Sequence, residues 1–195
     1  MCIRDRQILV NGKSETVKVG PNGLFEVELA EDADYTFFAS NEGYLTNDER
    51  FSTKGIAKDP KEPNREFEVE VVLDKIFKDR EIVLDNIYYE FDKAFIRNDA
   101  KPALNELADL LSQNPTIKIE LASHTDCRGQ ANYNQDLSAR RAQSAVEYLV
   151  SAGIASDRLS SKGYGKSSPA VDCLCSRCSE EEHQSNRRTT FKIID

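Results

Sequence analysis

The hydrophobic pattern of this chain changes its period once, and that change constrains the fold more than any other feature. Up to about residue 74 the apolar residues recur at every second position. Phe25, Val27 and Leu29 are separated by Glu26 and Glu28, and Phe67, Val69 and Val71 by Glu68 and Glu70. A period of two is that of a strand with one face buried. The run 34–39, D-Y-T-F-F-A, supplies a further strand, and Pro21, Asn22 and Gly23 supply a turn. A polar stretch over 54–64, with Pro60 and Pro63, reads as a loop. These segments predict a small antiparallel β-sandwich over 7–74, truncated at its first strand, then a linker over 75–81. The opening M-C-I-R-D-R reads as a non-native scar over 1–6 and is set aside.

Beyond Phe77 strands alternate with helices. Strands are predicted over 82–91, 117–121, 158–164 and 189–193. A helix over 98–113 places Ala103, Leu104, Leu107, Ala108 and Leu111 on one side, with Asn98 or Asp99 as cap and Pro102 in the first turn. A second helix is predicted over 134–152, closed by Gly153. Ser179 with Glu182 spells a capping box for a short third helix. The order βαβαβαβ over 82–195 predicts an α+β fold, an α/β sandwich whose helices cover one face of a sheet.

Composition narrows the function. The chain is 39% hydrophobic and 31% charged, with a formal net charge of −8. Phosphate neutralisation needs a basic surface, so nucleic acid is not an expected partner. No apolar run reaches the ~20 residues of a spanning helix.

The informative stretch is S-H-T-D-C-R-G followed by N-Y-N-Q-D-L-S-A-R-R-A, residues 123–129 and 132–142. A helix advances roughly 100° per residue. Leu137, Ala142, Ala145, Val146, Leu149 and Val150 then define an apolar arc. Arg140 falls opposite it, in solvent, whereas Arg141 falls on its flank and needs a partner. Asp126 lies in the loop before this helix. A planar guanidinium matches a carboxylate, and a carboxylate accepts an ammonium group. Together Asp126 and Arg141 can read a zwitterion, and they can equally pair with each other as a structural bridge.

These motifs carry a resemblance. I-Y-Y-E-F-D-K-A-F-I-R-N-D-A over 87–100, S-H-T-D-x-R-G, N-x-x-L-S-x-R-R-A, K-G-Y-G and N-R-R-T occur in order. From Ile82 to Asp195 the chain resembles the OmpA-like peptidoglycan-binding domain, which includes the peptidoglycan-associated lipoproteins and the periplasmic part of flagellar stator proteins. The resemblance implies helices on one face of a mixed sheet and non-covalent, non-catalytic binding of the diaminopimelate residue of the stem peptide. Asp126 and Arg141 match its ligand-binding acid and arginine. Thr125, Asn134 and Leu137 match positions lining the pocket, and Phe91 and Asp92 the loop that closes it. Peptidoglycan is the implied partner. The implied location is the periplasm of a Gram-negative cell, with outer-membrane association through regions upstream. The insert 171–182 resembles the version found in Bacteroidota. The segment before residue 74 resembles carboxypeptidase-regulatory-like, prealbumin-type modules.

Other chemistry is weighed against this. G-Y-G-K-S at 163–167 imitates a phosphate-binding loop but has Ser160 where that motif needs glycine. His124 beside Asp126 lacks a nucleophile to activate, so its expected role is to brace the loop by hydrogen bonds. Cys173, Cys175, Cys178 and His183 do not follow a standard zinc spacing. In the implied compartment a disulfide is expected, Cys173–Cys178 first and Cys175–Cys178 as the alternative. Cys127 reads as an incidental thiol. No cofactor, metal or enzymatic activity is expected.

Overall fold

The computed structural model describes all residues except 1–4, 11–12, 18, 21, 57–64, 85–86, 88–92 and 195. It divides into two compact units, Met1–Ile76 and Phe77–Asp195.

The first unit contains one antiparallel sheet of four strands in the order β2-β1-β3-β4. These are β1 (Asp5–Val10), β2 (Lys13–Thr16), β3 (Asp34–Ser40) and β4 (Asn47–Ser52). The alternating run in β3 does what its period requires, burying Tyr35, Phe37 and Ala39 on one face. Ala33, Tyr35 and Phe37 form the core, and Phe25, Val27, Leu29, Phe51, Val69 and Val71 pack on it. The sequence reading placed strands over 23–30 and 65–71. Both runs keep their in–out alternation, but neither is assigned as a strand. Apolar period alone aims side chains inward; a strand also needs a backbone partner for its N–H and C=O groups. Asp5 and Arg6, set aside as a scar, extend β1 opposite Ser40 and Ala39. The expected linker is split between the units. Lys75 bridges to Tyr44, and Lys78 bridges to Ile193.

The second unit is a sheet ordered β5-β8-β6-β7, formed by β5 (Ile82–Val83), β6 (Ile119–His124), β7 (Leu159–Gly165) and β8 (Thr189–Ile193). β6 and β7 run parallel, and β8 runs antiparallel to both β5 and β6, which makes the sheet mixed. Its helices are α1 (Lys101–Gln113), α2 (Ala131–Ser151) and α3 (Glu180–Asn186). Leu104, Leu107, Ala108 and Leu111 of α1 are buried, as their spacing requires. A 3-10 turn over Asn98–Ala100 precedes α1, so Ala100 rather than Asn98 or Asp99 takes the cap position, without a side-chain bond. Arg158 closes the other end of α1, donating to the carbonyls of Leu111, Asn114 and Ile117.

Two departures bear on the site. β6 runs on to His124, so Ser123 and His124 belong to the strand and the loop begins at Thr125. α2 begins at Ala131, ahead of Asn134, which places Asn134 inside the helix. Gly163 explains how α2 comes close to the sheet. A Cβ there would collide with the backbone of Ala139 and the hydroxyl of Ser138. The gap is closed by Ser138 Oγ, which accepts from Gly165 N at 2.8 Å, and by Thr125 N, which donates to Gly165 O at 2.8 Å. The K-G-Y-G motif thus clamps the loop carrying Asp126 against α2.

Candidate functional site

The β6–α2 junction draws polar side chains out of water. Thr125, Asp126, Asn134, Leu137 and Arg141 are all buried. Thr125 Oγ1 donates to the Asp126 carbonyl at 3.0 Å. Asn134 Nδ2 donates to the carbonyl of Arg128 at 2.7 Å, fixing the loop to the first turn of α2. Leu137 and Arg141 follow Asn134 along the buried face of α2. The two adjacent arginines separate as the helical wheel requires. Arg141 is 7% exposed, while Arg140 lies in solvent and pairs with Asp136 one turn earlier at 2.9 Å. Val150, assigned to the apolar arc, is exposed at the helix end.

The partners of Asp126 were not in the sequence reading. Its Oδ1 accepts from the Arg128 amide at 3.0 Å. Its Oδ2 accepts from Arg128 Nη2 and from Arg187 Nη1, each at 2.6 Å. Glu180 at the start of α3 accepts from the same two arginines, at 3.0 Å from Arg128 and 2.8 Å from Arg187. Two carboxylates and two guanidiniums thus lock the loop after β6 to α3. Burial works to raise the Asp126 pKa, but the hydrogen bonds from Arg128 and Arg187 outweigh it and hold the carboxyl at about 2. Arg128 and Glu180 are shifted in the directions that favour their charged forms, each first by its hydrogen bond to the other network members. The signal for this network was present in R-G after Asp126 and in N-R-R-T, but only the fold shows that they meet.

Arg141 Nε donates to the carbonyl of Lys93 at 3.0 Å, so the end of α2's third turn is tied to the segment leaving the predicted closing loop. Phe91 and Asp92, expected to close the pocket, lie outside the described residues.

His124 is braced as expected, though from within β6. Its Nδ1 lies 3.1 Å from the Ser168 carbonyl and its ring stacks on Tyr164, with centroids 5.1 Å apart. Burial first, and then the charge of Arg188, push its pKa down to about 4, so the ring is neutral at physiological pH. A carbonyl partner assigns the proton to Nδ1.

Among the described residues the cysteines form two disulfides. Cys173 joins Cys178, and Cys127, read as an incidental thiol, joins Cys175 across a sequence separation of 48. The residue beside Asp126 is therefore covalently tied to the insert before α3. Among the described residues the groups able to hold a metal ion lie in this same cysteine cluster, and no helix is long and apolar enough to cross a membrane.

The chain is 36% identical over 108 residues to outer membrane porin F of Pseudomonas fluorescens, covering 55% of this chain and 32% of the porin. It is 42% identical over 89 residues to the peptidoglycan-associated lipoprotein of Mesorhizobium japonicum, covering 46% of this chain and 53% of that protein. The chain thus spans about half or less of these relatives. The crystal structure of the peptidoglycan-associated lipoprotein from Burkholderia pseudomallei superposes with a TM-score of 0.50 at 24% identity, covering 55% of this chain and 87% of that one, and so shares the fold of the second unit. The profile of the OmpA family matches residues 88–186, which contain α1, the β6–α2 junction and α3, and the chain belongs to that family.

Proposed function

We propose that the second unit binds peptidoglycan non-covalently through the diaminopimelate residue of its stem peptide and so anchors a Gram-negative envelope protein to the wall. The observation that carries this reading is the burial, at one β–α junction, of an acid held ionised and an arginine, with Asn134 and Leu137 between them on α2. An ionised carboxylate takes the distal ammonium of the amino acid, and the guanidinium takes its carboxylate. The name of the Mesorhizobium relative supports the wall as partner. The two disulfides fit an oxidising compartment such as the periplasm. In this reading the site binds and does no chemistry on its ligand. The first unit serves as a spacer of the carboxypeptidase-regulatory-like type, in the arrangement used by Bacteroidota.

A second reading has its own observation. The Asp126 carboxylate is already engaged by Arg128 and Arg187, as it would be in an envelope adaptor that keeps the fold without the ligand. Titration of the full chain with a diaminopimelate muropeptide and with its lysine counterpart decides between them. Lysine lacks the distal carboxylate, so wall binding predicts preference for the first ligand. It also predicts that Arg141→Ala weakens binding by about 2–5 kcal/mol, the usual cost of truncating one partner of a buried charge pair. Equal, weak uptake of both muropeptides, unchanged in Arg141→Ala, supports the adaptor.

A further inference from the structure

Beside the carboxylate–guanidinium junction, four cysteines and a histidine converge, and the wall-binding reading uses none of their side chains. Cys127 comes from the loop after β6. Cys173, Cys175 and Cys178 come from the insert, and His183 from α3. The donor atoms of Cys127, Cys178 and His183 all lie within 4.8 Å of one another. His183 is 5% exposed, and its Nδ1 lies 3.8 Å from Cys127 Sγ. Each of the other two sulfurs is already bonded to one of these, Cys175 to Cys127 and Cys173 to Cys178. The insert alone has no zinc spacing; the missing ligand arrives from Cys127, far away in sequence.

We propose that the reduced chain holds one zinc ion at the thiolates of Cys127 and Cys178 and the imidazole of His183, with Cys173 or Cys175 completing four ligands. Zinc takes thiolate at about 2.3 Å and imidazole at about 2.0–2.1 Å in a tetrahedron, so its donor atoms stand roughly 3.5–4 Å apart. The observed cluster needs to contract by no more than on the order of 1 Å to meet that geometry. Glu182, which lies near Cys173 and Cys178, is excluded because its carboxylate is engaged with the Ser179 amide in the capping box. Disulfides and metal are alternatives, since the same sulfurs serve both. Cys175 is exposed, which opens the Cys127–Cys175 bond to a reductant. Two equivalents of a trialkylphosphine break both sulfur–sulfur bonds, Cys127–Cys175 and Cys173–Cys178. At each bond one phosphorus gives up two electrons and takes an oxygen from water, and the two sulfurs take the electrons and the water's two protons. Zinc then displaces the thiol protons.

The test uses the full chain, oxidised or reduced with the phosphine, loaded with zinc, desalted without oxygen and analysed for metal. Cobalt(II) reports the tetrahedral thiolate site by its visible spectrum. One zinc per reduced chain and none per oxidised chain is expected. Cys127→Ser, Cys178→Ser and His183→Ala are each expected to lower affinity about tenfold or more, a loss that even outer-shell substitutions produce. Arg140→Ala, on the solvent side of α2, is expected to leave affinity unchanged. A reduced chain that takes up no zinc, whether or not it keeps its far-ultraviolet dichroism, overturns the proposal. So does zinc bound as tightly by the His183→Ala chain, or by the oxidised protein.

Discussion

The two units solve the same problem of covering a sheet in opposite ways. In the first, β3 is covered by apolar side chains from runs that carry no ladder of their own, and its buried core is Ala33, Tyr35, Phe37 and Ala39. In the second, helices cover the sheet, and every buried polar or charged residue described in the chain is found there, from Asn114 to Thr190. Burying such groups costs free energy unless hydrogen bonds compensate. The second unit meets that cost with Arg128, Arg187 and Glu180 around Asp126, and with the Gly165 contacts beside it. Apolar cover suits the spacer role proposed for the first unit, and a compensated polar junction suits the binding role proposed for the second.

The largest effect that separates the units is expected from Phe37→Ala. Loss of a buried aromatic costs about 3–5 kcal/mol, so the first unit should unfold at much lower denaturant while muropeptide binding by the second is retained. Binding lost together with the first unit would end the comparison. Next come the disulfides, both in the second unit. The chain-entropy estimate is about 4 kcal/mol for Cys127–Cys175 and about 2 kcal/mol for the short Cys173–Cys178 loop. Denaturant unfolding of the paired Cys→Ser variants should rank them in that order, and the reverse order would show that the loop at Asp126 is held by its arginines alone.

Acid sharpens the contrast further. His124 has a folded pKa of about 4, below its ordinary 6.5. The unfolded chain therefore takes up the proton first, and the second unit should lose stability as pH falls from 6.5 toward 4. Asp126, held at about 2 against 3.8, adds a second loss below 3.8. In the first unit the resolved shifts are those of Asp34 and Lys54, which pair with each other in an exposed position, and neither acts in the upper window. Unfolding midpoints at pH 7, 5 and 4 should thus move for the second unit and stay put for the first. An equal response would assign the acid sensitivity elsewhere. The smallest effect is expected from Arg140→Ala. Its exposed pair with Asp136 contributes about 0.3–0.5 kcal/mol, and muropeptide binding should be unchanged.

Much of the second unit was legible in the sequence. The bounds of β8, the capping box of α3, the buried side of α1 and the division of labour between Arg140 and Arg141 all rest on residues a few positions apart. Thr125, Asn134 and Leu137, expected from the resemblance to line a pocket, are buried, as are Asp126 and Arg141. Less was legible in the first unit, where alternation over 23–30 and 65–71 gave the right faces but no strands. A period of two reports which side chains turn inward and is silent on which backbone lies alongside.

Sequence by itself determined where the period changes, which residues turn inward, and that Asp126 and Arg141 belong to one β–α junction. Tertiary structure alone decided that Arg187, separated from Asp126 by 61 positions, shares its carboxylate, and that Cys127 meets Cys175. The reason is physical. Helical and strand periods are set by neighbours along the chain, whereas contacts across such separations exist only once the intervening elements have packed.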